Sequence, residues 1–85
     1  MQFDGAKIKE QGITFAIAVV KPHILSSPKK ESIRMGFTSF FGNIPIVLTT
    51  QNSRGVFTYD GRRDIVNFLA NINPARIPWQ HYTVN

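Results

Sequence analysis

The amino-acid sequence predicts an α+β fold, a small two-layer sandwich in the order β-α-β-β-α with an optional further strand at the C terminus. A chain of 85 residues has room for one modest core, so we expect a single domain over residues 1–85. From Ile13 to Val20 bulky apolar side chains alternate with smaller ones, which indicates a strand. In two later segments apolar side chains recur every three or four residues, which indicates helices. We therefore expect a mixed or ferredoxin-like sheet with both helices on one face.

The first clear element is the strand from Ile13 to Val20, in which bulky side chains alternate with small ones. A period of two is typical of a strand whose two faces pack differently. Lys21 and Pro22 end this strand, because proline has no N–H to donate to a sheet. The twelve residues before it show no sustained period, and we interpret them as a short edge strand or an ordered arm.

A helix is predicted after this strand. Ser27 is the expected N-cap, Pro28 is placed at the first helical position, and Glu31 lies near the positive end of the helix dipole. Gly42 and Asn43 end the helix, since glycine readily adopts the backbone conformation of a C-terminal cap. One apolar stripe faces the core and consists of Ile33, Phe37, Phe40 and Phe41.

A hairpin and a second helix complete the pattern. Ile44 to Thr50 and Val56 to Tyr59 are the predicted strands of the hairpin, and a polar turn separates them. Arg62 to Asn71 carries the most regular helical stripe in the chain. Residues 77–84 are interpreted as an edge strand or a docked aromatic tail, because Pro78 argues against a central position.

Two strand orders are compatible with these elements. The first two strands are joined by a helix and should run parallel, while the hairpin makes the third strand antiparallel to both. The third strand then lies either between the first two, as in a ferredoxin-like sheet, or outside the second. We favour the ferredoxin-like order with one open sheet face, lined by Val20, Val47 and aromatic side chains.

The composition argues against several functional classes. The chain has no cysteine, which removes disulfides, thiolate metal sites and redox-active or nucleophilic thiols. Its two histidines and five acidic residues show no metal-ligand or catalytic spacing, and no phosphate-binding loop or nucleophile elbow occurs. No apolar run approaches the roughly 20 residues of a membrane span. We expect a non-enzymatic cytoplasmic protein with no cofactor, no metal site and no membrane partner.

The second predicted strand resembles part of a known fold. Ile44-Pro45-Ile46-Val47-Leu48, followed by the hairpin and an amphipathic helix, is similar to the C-terminal half of thioredoxin-like proteins. In that family a proline opens the strand that faces the redox site. Redox chemistry of that kind requires cysteine, so the resemblance implies no redox function for this chain.

Nucleic-acid binding is the alternative function. Ten Lys and Arg residues against five Asp and Glu give a net charge of +5, which attracts phosphate. The segment Arg54-Gly55-Val56-Phe57-Thr58-Tyr59 resembles the third strand of RNA-recognition-motif domains, which implies aromatic side chains that stack on single-stranded bases. That family places its aromatics one and three residues after the glycine, where this chain has Val56 and Thr58. The candidate contacts are Lys29, Lys30, Arg54, Arg62 and Arg63 for phosphate, and Phe57 and Tyr59 for bases.

A protein-interaction or self-association module is the function that we favour. An open sheet face lined by apolar side chains is expected to be buried against a partner or a second copy. Trp79 and Tyr82 are the candidate partner contacts, because Trp and Tyr are enriched at binding hot spots. The expected partner is an unidentified protein or a second copy of the chain, with nucleic acid as the alternative.

Overall fold

The computed structural model describes residues 1–10 and 12–84, which form one mixed sheet and two helices. Short turns of 3₁₀ helix at Pro22–Ser26 and Pro74–Arg76 precede α1 and β5, respectively. The predicted α+β class is confirmed. The elements in chain order are β1 (Gln2–Glu10), β2 (Ile13–Val19), α1 (Lys30–Phe41), β3 (Ile46–Gln51), β4 (Phe57–Asp60), α2 (Arg63–Ala70) and β5 (Gln80–Thr83).

The five strands follow the order β4-β3-β2-β1-β5 across the sheet. β2 and β3 are parallel, and the other three neighbouring pairs are antiparallel. The segment interpreted as an edge strand or an arm is instead β1, a nine-residue strand that lies between β2 and β5. The predicted C-terminal strand forms, and it lies at the edge of the sheet.

The ferredoxin-like strand order is wrong. β2 pairs directly with β3, with Ile17 beside Val47, and β4 lies outside β3. The cause is burial, since Ile17 and Val47 are fully buried and strands that are covered on both faces belong in the centre of a sheet. β4 exposes Thr58 and therefore suits the edge.

The helices also differ from the predicted arrangement, in which both lie on one face. Successive side chains of a strand point to opposite faces. On β2, Ala18 packs with the α1 residues Phe37 and Phe41, whereas Ile17 packs with the α2 residues Ile65 and Leu69 in a second cluster. The two helices therefore cover opposite faces of the sheet.

The second covered face has a topological cause. The crossover from β2 to β3 carries α1 over one face, and the chain must then travel from the edge strand β4 to the opposite edge strand β5. α2 lies on this path and covers the face that α1 leaves free. The open face predicted to contain Val20 and Val47 is consequently absent, because Val47 is buried beneath α2 and Val20 packs in the α1 cluster.

α1 spans the sheet from one edge strand to the other. Near its start, Lys30 contacts Asp60 of β4, and near its end Phe40 contacts Tyr82 of β5. The helix begins at Lys30, two residues after the predicted first helical position at Pro28, since the Ser27 hydroxyl accepts a hydrogen bond from the Lys29 N–H within the preceding turn. It ends at Gly42, as predicted, where a φ of 98° suits glycine.

No helix within residues 1–10 and 12–84 is both long enough and apolar enough to cross a membrane.

Candidate interaction surfaces

The predicted phosphate contact Lys30 belongs to an internal ion-pair cluster. Its Nζ lies 3.0 Å from an Asp60 carboxylate oxygen, and the Arg34 guanidinium donates to the other oxygen of that carboxylate. Arg34 also donates to the main-chain oxygens of Asp60 (2.7 Å) and Ile46 (2.9 Å), and only 15% of its side chain is exposed. This cluster fastens the start of α1 to β3 and β4.

The same cluster perturbs the ionisation of Asp60. Partial burial acts to raise the pKa of this carboxyl, but hydrogen bonds from Arg34 and Lys30 outweigh burial and hold the pKa below its usual value. Lys30 therefore serves as a structural cation, with its charge already matched by a carboxylate.

The other predicted phosphate contacts lie at two separated places. Arg54 is exposed in the turn before β4, whereas Arg62 and Arg63 follow the opposite end of that strand. Arg62 forms an exposed ion pair with Asp64, with Nε and Oδ1 2.8 Å apart. Lys29 is exposed beside the start of α1. The fold thus brings Lys29, Arg62 and Arg63 to one end of β4 and leaves Arg54 at the other.

The predicted base-stacking residues stack on each other. The rings of Phe57 and Tyr59 are parallel to within 11° with centroids 6.1 Å apart, and Trp79 stacks on Phe57 at 5.2 Å. The Trp79 indole N–H donates to the Pro74 carbonyl oxygen at 3.0 Å, which holds the ring in place. All three aromatic residues are half-buried on the face that α2 covers.

Tyr59 is the ring of this stack whose polar end is buried. Its hydroxyl is buried and has no hydrogen-bond partner among the described residues, and burial raises the pKa of the phenol. Trp79, a predicted partner contact, packs one face of its ring against Phe57. Tyr59 therefore belongs to the α2 core, whereas Phe57 and Trp79 also line an open surface cavity.

The other predicted partner contact, Tyr82, belongs to a cluster of aromatic rings at the β5 edge. Its ring stacks on Phe3, with centroids 5.2 Å apart, and meets Phe40 and Phe41 edge to face at 5.2 and 5.4 Å. Phe3, Phe37 and Phe41 are buried, whereas Phe40 remains 40% exposed. An aromatic patch thus reaches solvent beside an edge strand.

The strand beside this patch, β5, consists of Gln80, His81, Tyr82 and Thr83 and contains no lysine, arginine or acidic residue. The N-terminal ammonium group lies at its end, 2.8 Å from the Val84 carbonyl oxygen. On the opposite face of the strand, His81 Nδ1 lies 2.8 Å from a carboxylate oxygen of Asp4 on β1. We call Phe40 together with Gln80–Thr83 the β5 edge surface.

No family model, curated protein or solved structure matches this chain.

The described part of the chain, residues 1–10 and 12–84, was compared with the geometry of a metal site. No three His, Asp or Glu side chains in that part of the chain converge as ligands. The His81 ring is hydrogen-bonded to the Asp4 carboxylate, and His23 lies in an exposed turn after β2.

Sequence reasoning missed Phe40 as a surface residue, because its offset of seven from Ile33 assigns it to the core stripe. Adjacent residues on a helix are about 100° apart, so Phe40 and Phe41 cannot both point at the centre of one sheet. The two adjacent phenylalanines were the sequence feature that could have indicated a surface ring. Phe40 reaches the surface because α1 crosses the sheet and its end lies at the β5 edge.

Proposed function

We propose that this chain is a non-enzymatic self-association module, in which two copies meet through the β5 edge surface. The observation that carries the proposal is the exposed ring of Phe40, packed on Tyr82 directly beside an edge strand. Exposed strand edges offer hydrogen-bonding groups to another chain, and exposed aromatic rings provide apolar area to bury. These two features favour docking when they occur side by side.

Charge supports a second copy at this edge. Each molecule carries a net charge of +5, so two copies repel least where they meet through surfaces that lack lysine and arginine. The β5 edge surface contains neither residue. The opposite edge strand, β4, is flanked by Arg54 on one side and by Arg62 and Arg63 on the other, which disfavours pairing between two copies there.

Nucleic-acid binding receives weaker support. Lys30 and Arg62 are engaged by Asp60 and Asp64, and Phe57 stacks on both Tyr59 and Trp79 within the molecule. The exposed cations favour at most a diffuse contact with phosphate.

The proposal is tested by sedimentation equilibrium of the whole chain over a range of protein concentrations. We expect a reversible monomer–dimer equilibrium that strengthens as salt is added, because salt screens the repulsion between two positive molecules. Phe40→Lys should weaken the dimer by about tenfold or more, since it places a charge against Tyr82 within the apolar part of the contact.

Met35→Lys is the matched control. Met35 lies on the same helix and is 65% exposed, but it has no place in the aromatic cluster at β5. This variant should dimerise like the parent chain. A chain that stays monomeric at millimolar concentration, or loses its dimer equally through both substitutions, overturns the proposal. Binding of single-stranded RNA that weakens steeply with salt would then favour the nucleic-acid alternative.

A further inference from the structure

The main chain of β5 has a defined inner side and outer side. The Val84 N–H donates to the Met1 carbonyl oxygen at 2.7 Å, so Val84 faces β1. Main-chain groups alternate in direction along an antiparallel strand, which places those of Gln80 and Tyr82 toward β1 as well. The N–H and C=O groups of His81 and Thr83 consequently point outward, at the edge of the sheet.

We propose that two copies join by antiparallel pairing of β5 with the β5 strand of the partner, with His81 of each copy opposite the partner's Thr83. This inference rests on the proposed self-association and adds the geometry of the contact. A two-fold axis pairs a strand with itself in antiparallel orientation, so one edge supplies both halves of the contact. The joined sheet continues through both molecules.

The register follows from the outward groups. Only outward-facing residues can exchange hydrogen bonds across the new pair, so a symmetric register within β5 is centred on His81, on Tyr82 or on Thr83. Opposing His81 with Thr83 engages both outward residues of each strand in two symmetric pairs. A register centred on His81 or on Thr83 engages only one of them within β5.

This register also brings the apolar side chains together. It is centred on Tyr82, which then lies opposite the partner's Tyr82 as a non-hydrogen-bonded pair, the arrangement in which side chains approach most closely. Tyr82 projects on the α1 face, where Phe40 packs against it. The exposed ring of Phe40 therefore flanks the pair in each copy. No lysine or arginine lies at the centre of the contact.

The contact is small. A four-residue strand and one partly exposed ring bury less than the roughly 1,200 Å² that marks the lower limit of stable complexes. We expect a Kd of about 10 µM to 1 mM, typical of a weak and reversible dimer.

Amide hydrogen exchange followed by NMR at low and high protein concentration tests the pairing. The amides of His81 and Thr83 should exchange more slowly as the dimer fraction rises, whereas the Gln80 and Tyr82 amides, already bonded to β1, should change little. A sample that mixes labelled and unlabelled chains should show contact between the α-protons of Tyr82 in the two copies.

Thr83→Pro supplies a matched substitution. The Thr83 N–H points away from β1, so proline removes a donor from the proposed contact and keeps the ladder within the molecule. Thr83→Val retains the donor and serves as the control. Dimerisation lost through proline and kept with valine supports the pairing.

The outcomes separate the two proposals. A dimer in sedimentation whose His81 and Thr83 amides stay unprotected overturns the strand pairing and leaves self-association standing. A strictly monomeric parent chain overturns self-association, and the pairing with it.

Discussion

At the scale of single residues, Arg34 is the side chain on which the start of α1 depends. Its guanidinium bonds the carboxylates of Glu31 and Asp60 and two main-chain oxygens, so one residue satisfies acceptors on α1, β3 and β4. The sequence marks Arg34 only as one more cation on a basic helix. Its structural role depends on β4 lying beside β3, a contact between residues far apart in the chain.

Arg34→Ala should lower the free energy of unfolding by about 2 to 3 kcal/mol, because it leaves the partly buried Asp60 carboxylate with Lys30 as its remaining partner and removes a charged donor from two carbonyl oxygens. Arg62→Ala is the matched control, since its ion pair with Asp64 is exposed on both sides and should contribute no measurable stability. Urea denaturation followed by circular dichroism measures both. Equal losses in the two variants would contradict the role assigned to Arg34.

Because of Asp60, the free energy of unfolding should depend on pH. Its pKa in the folded chain lies below the value of about 3.9 expected in the unfolded chain. The stabilisation from the ionised carboxylate is therefore fully present above pH 5 and is lost as pH falls below about 4. The stability difference between the parent chain and Asp60→Asn should be constant above pH 5 and shrink on acidification. Urea midpoints between pH 2.5 and 7 give this difference, and one that does not change with pH would contradict it.

At the scale of elements, α1 shows which features of a helix are local. Gly42 ends it with a φ of 98° and a ψ of 177°, a conformation that other residues rarely adopt. Gly36 lies in the same helix, and the space beside its Cα is open. The end of α1 was predictable because it depends on one glycine. Its start was predicted too early because residues 27–29 form a separate turn before the helix.

Gly42→Ala and Gly36→Ala should have opposite effects on stability. The first forces alanine into a strained backbone conformation and should cost about 1 to 3 kcal/mol. The second replaces a poor helix former without a clash and should stabilise the fold by about 0.5 to 1 kcal/mol. Thermal unfolding followed at 222 nm distinguishes the two. A gain from Gly42→Ala would show that the end of α1 is unstrained.

At the scale of the whole molecule, one sheet separates two apolar clusters. β2 contributes Ala16 and Ala18 to the α1 cluster and Phe15 and Ile17 to the α2 cluster. Each cluster alone is small for a domain of this size, and both share the same strands. We therefore expect the two halves to unfold as one cooperative unit.

Ile46→Val and Ile65→Val test this coupling with the same chemical change in the two clusters. Each removes one buried methylene and should cost about 0.5 to 1.5 kcal/mol. Trp79 is the only tryptophan and reports on the α2 side, so its fluorescence and the far-UV circular dichroism compare the halves. Both variants should shift both signals equally. A shift of the circular dichroism midpoint in Ile46→Val without a shift in fluorescence would mean that the faces unfold separately.

Local patterns in the chain predicted the α+β class, the alternating strand β2 and the end of α1, and they offered an edge strand as one of two interpretations of β5. Each of these follows from a local cause: a period of two, a glycine that tolerates positive φ, or a proline two residues before a strand. The sequence also pointed to Tyr82 as a partner contact, a role that stays a prediction. Contacts between distant parts of the chain place β1 inside the sheet, put the helices on opposite faces and leave Phe40 in contact with solvent. The central strands β2 and β3 are apolar on both faces. Their pattern therefore predicts that both faces are buried, but it does not predict which helix covers each face.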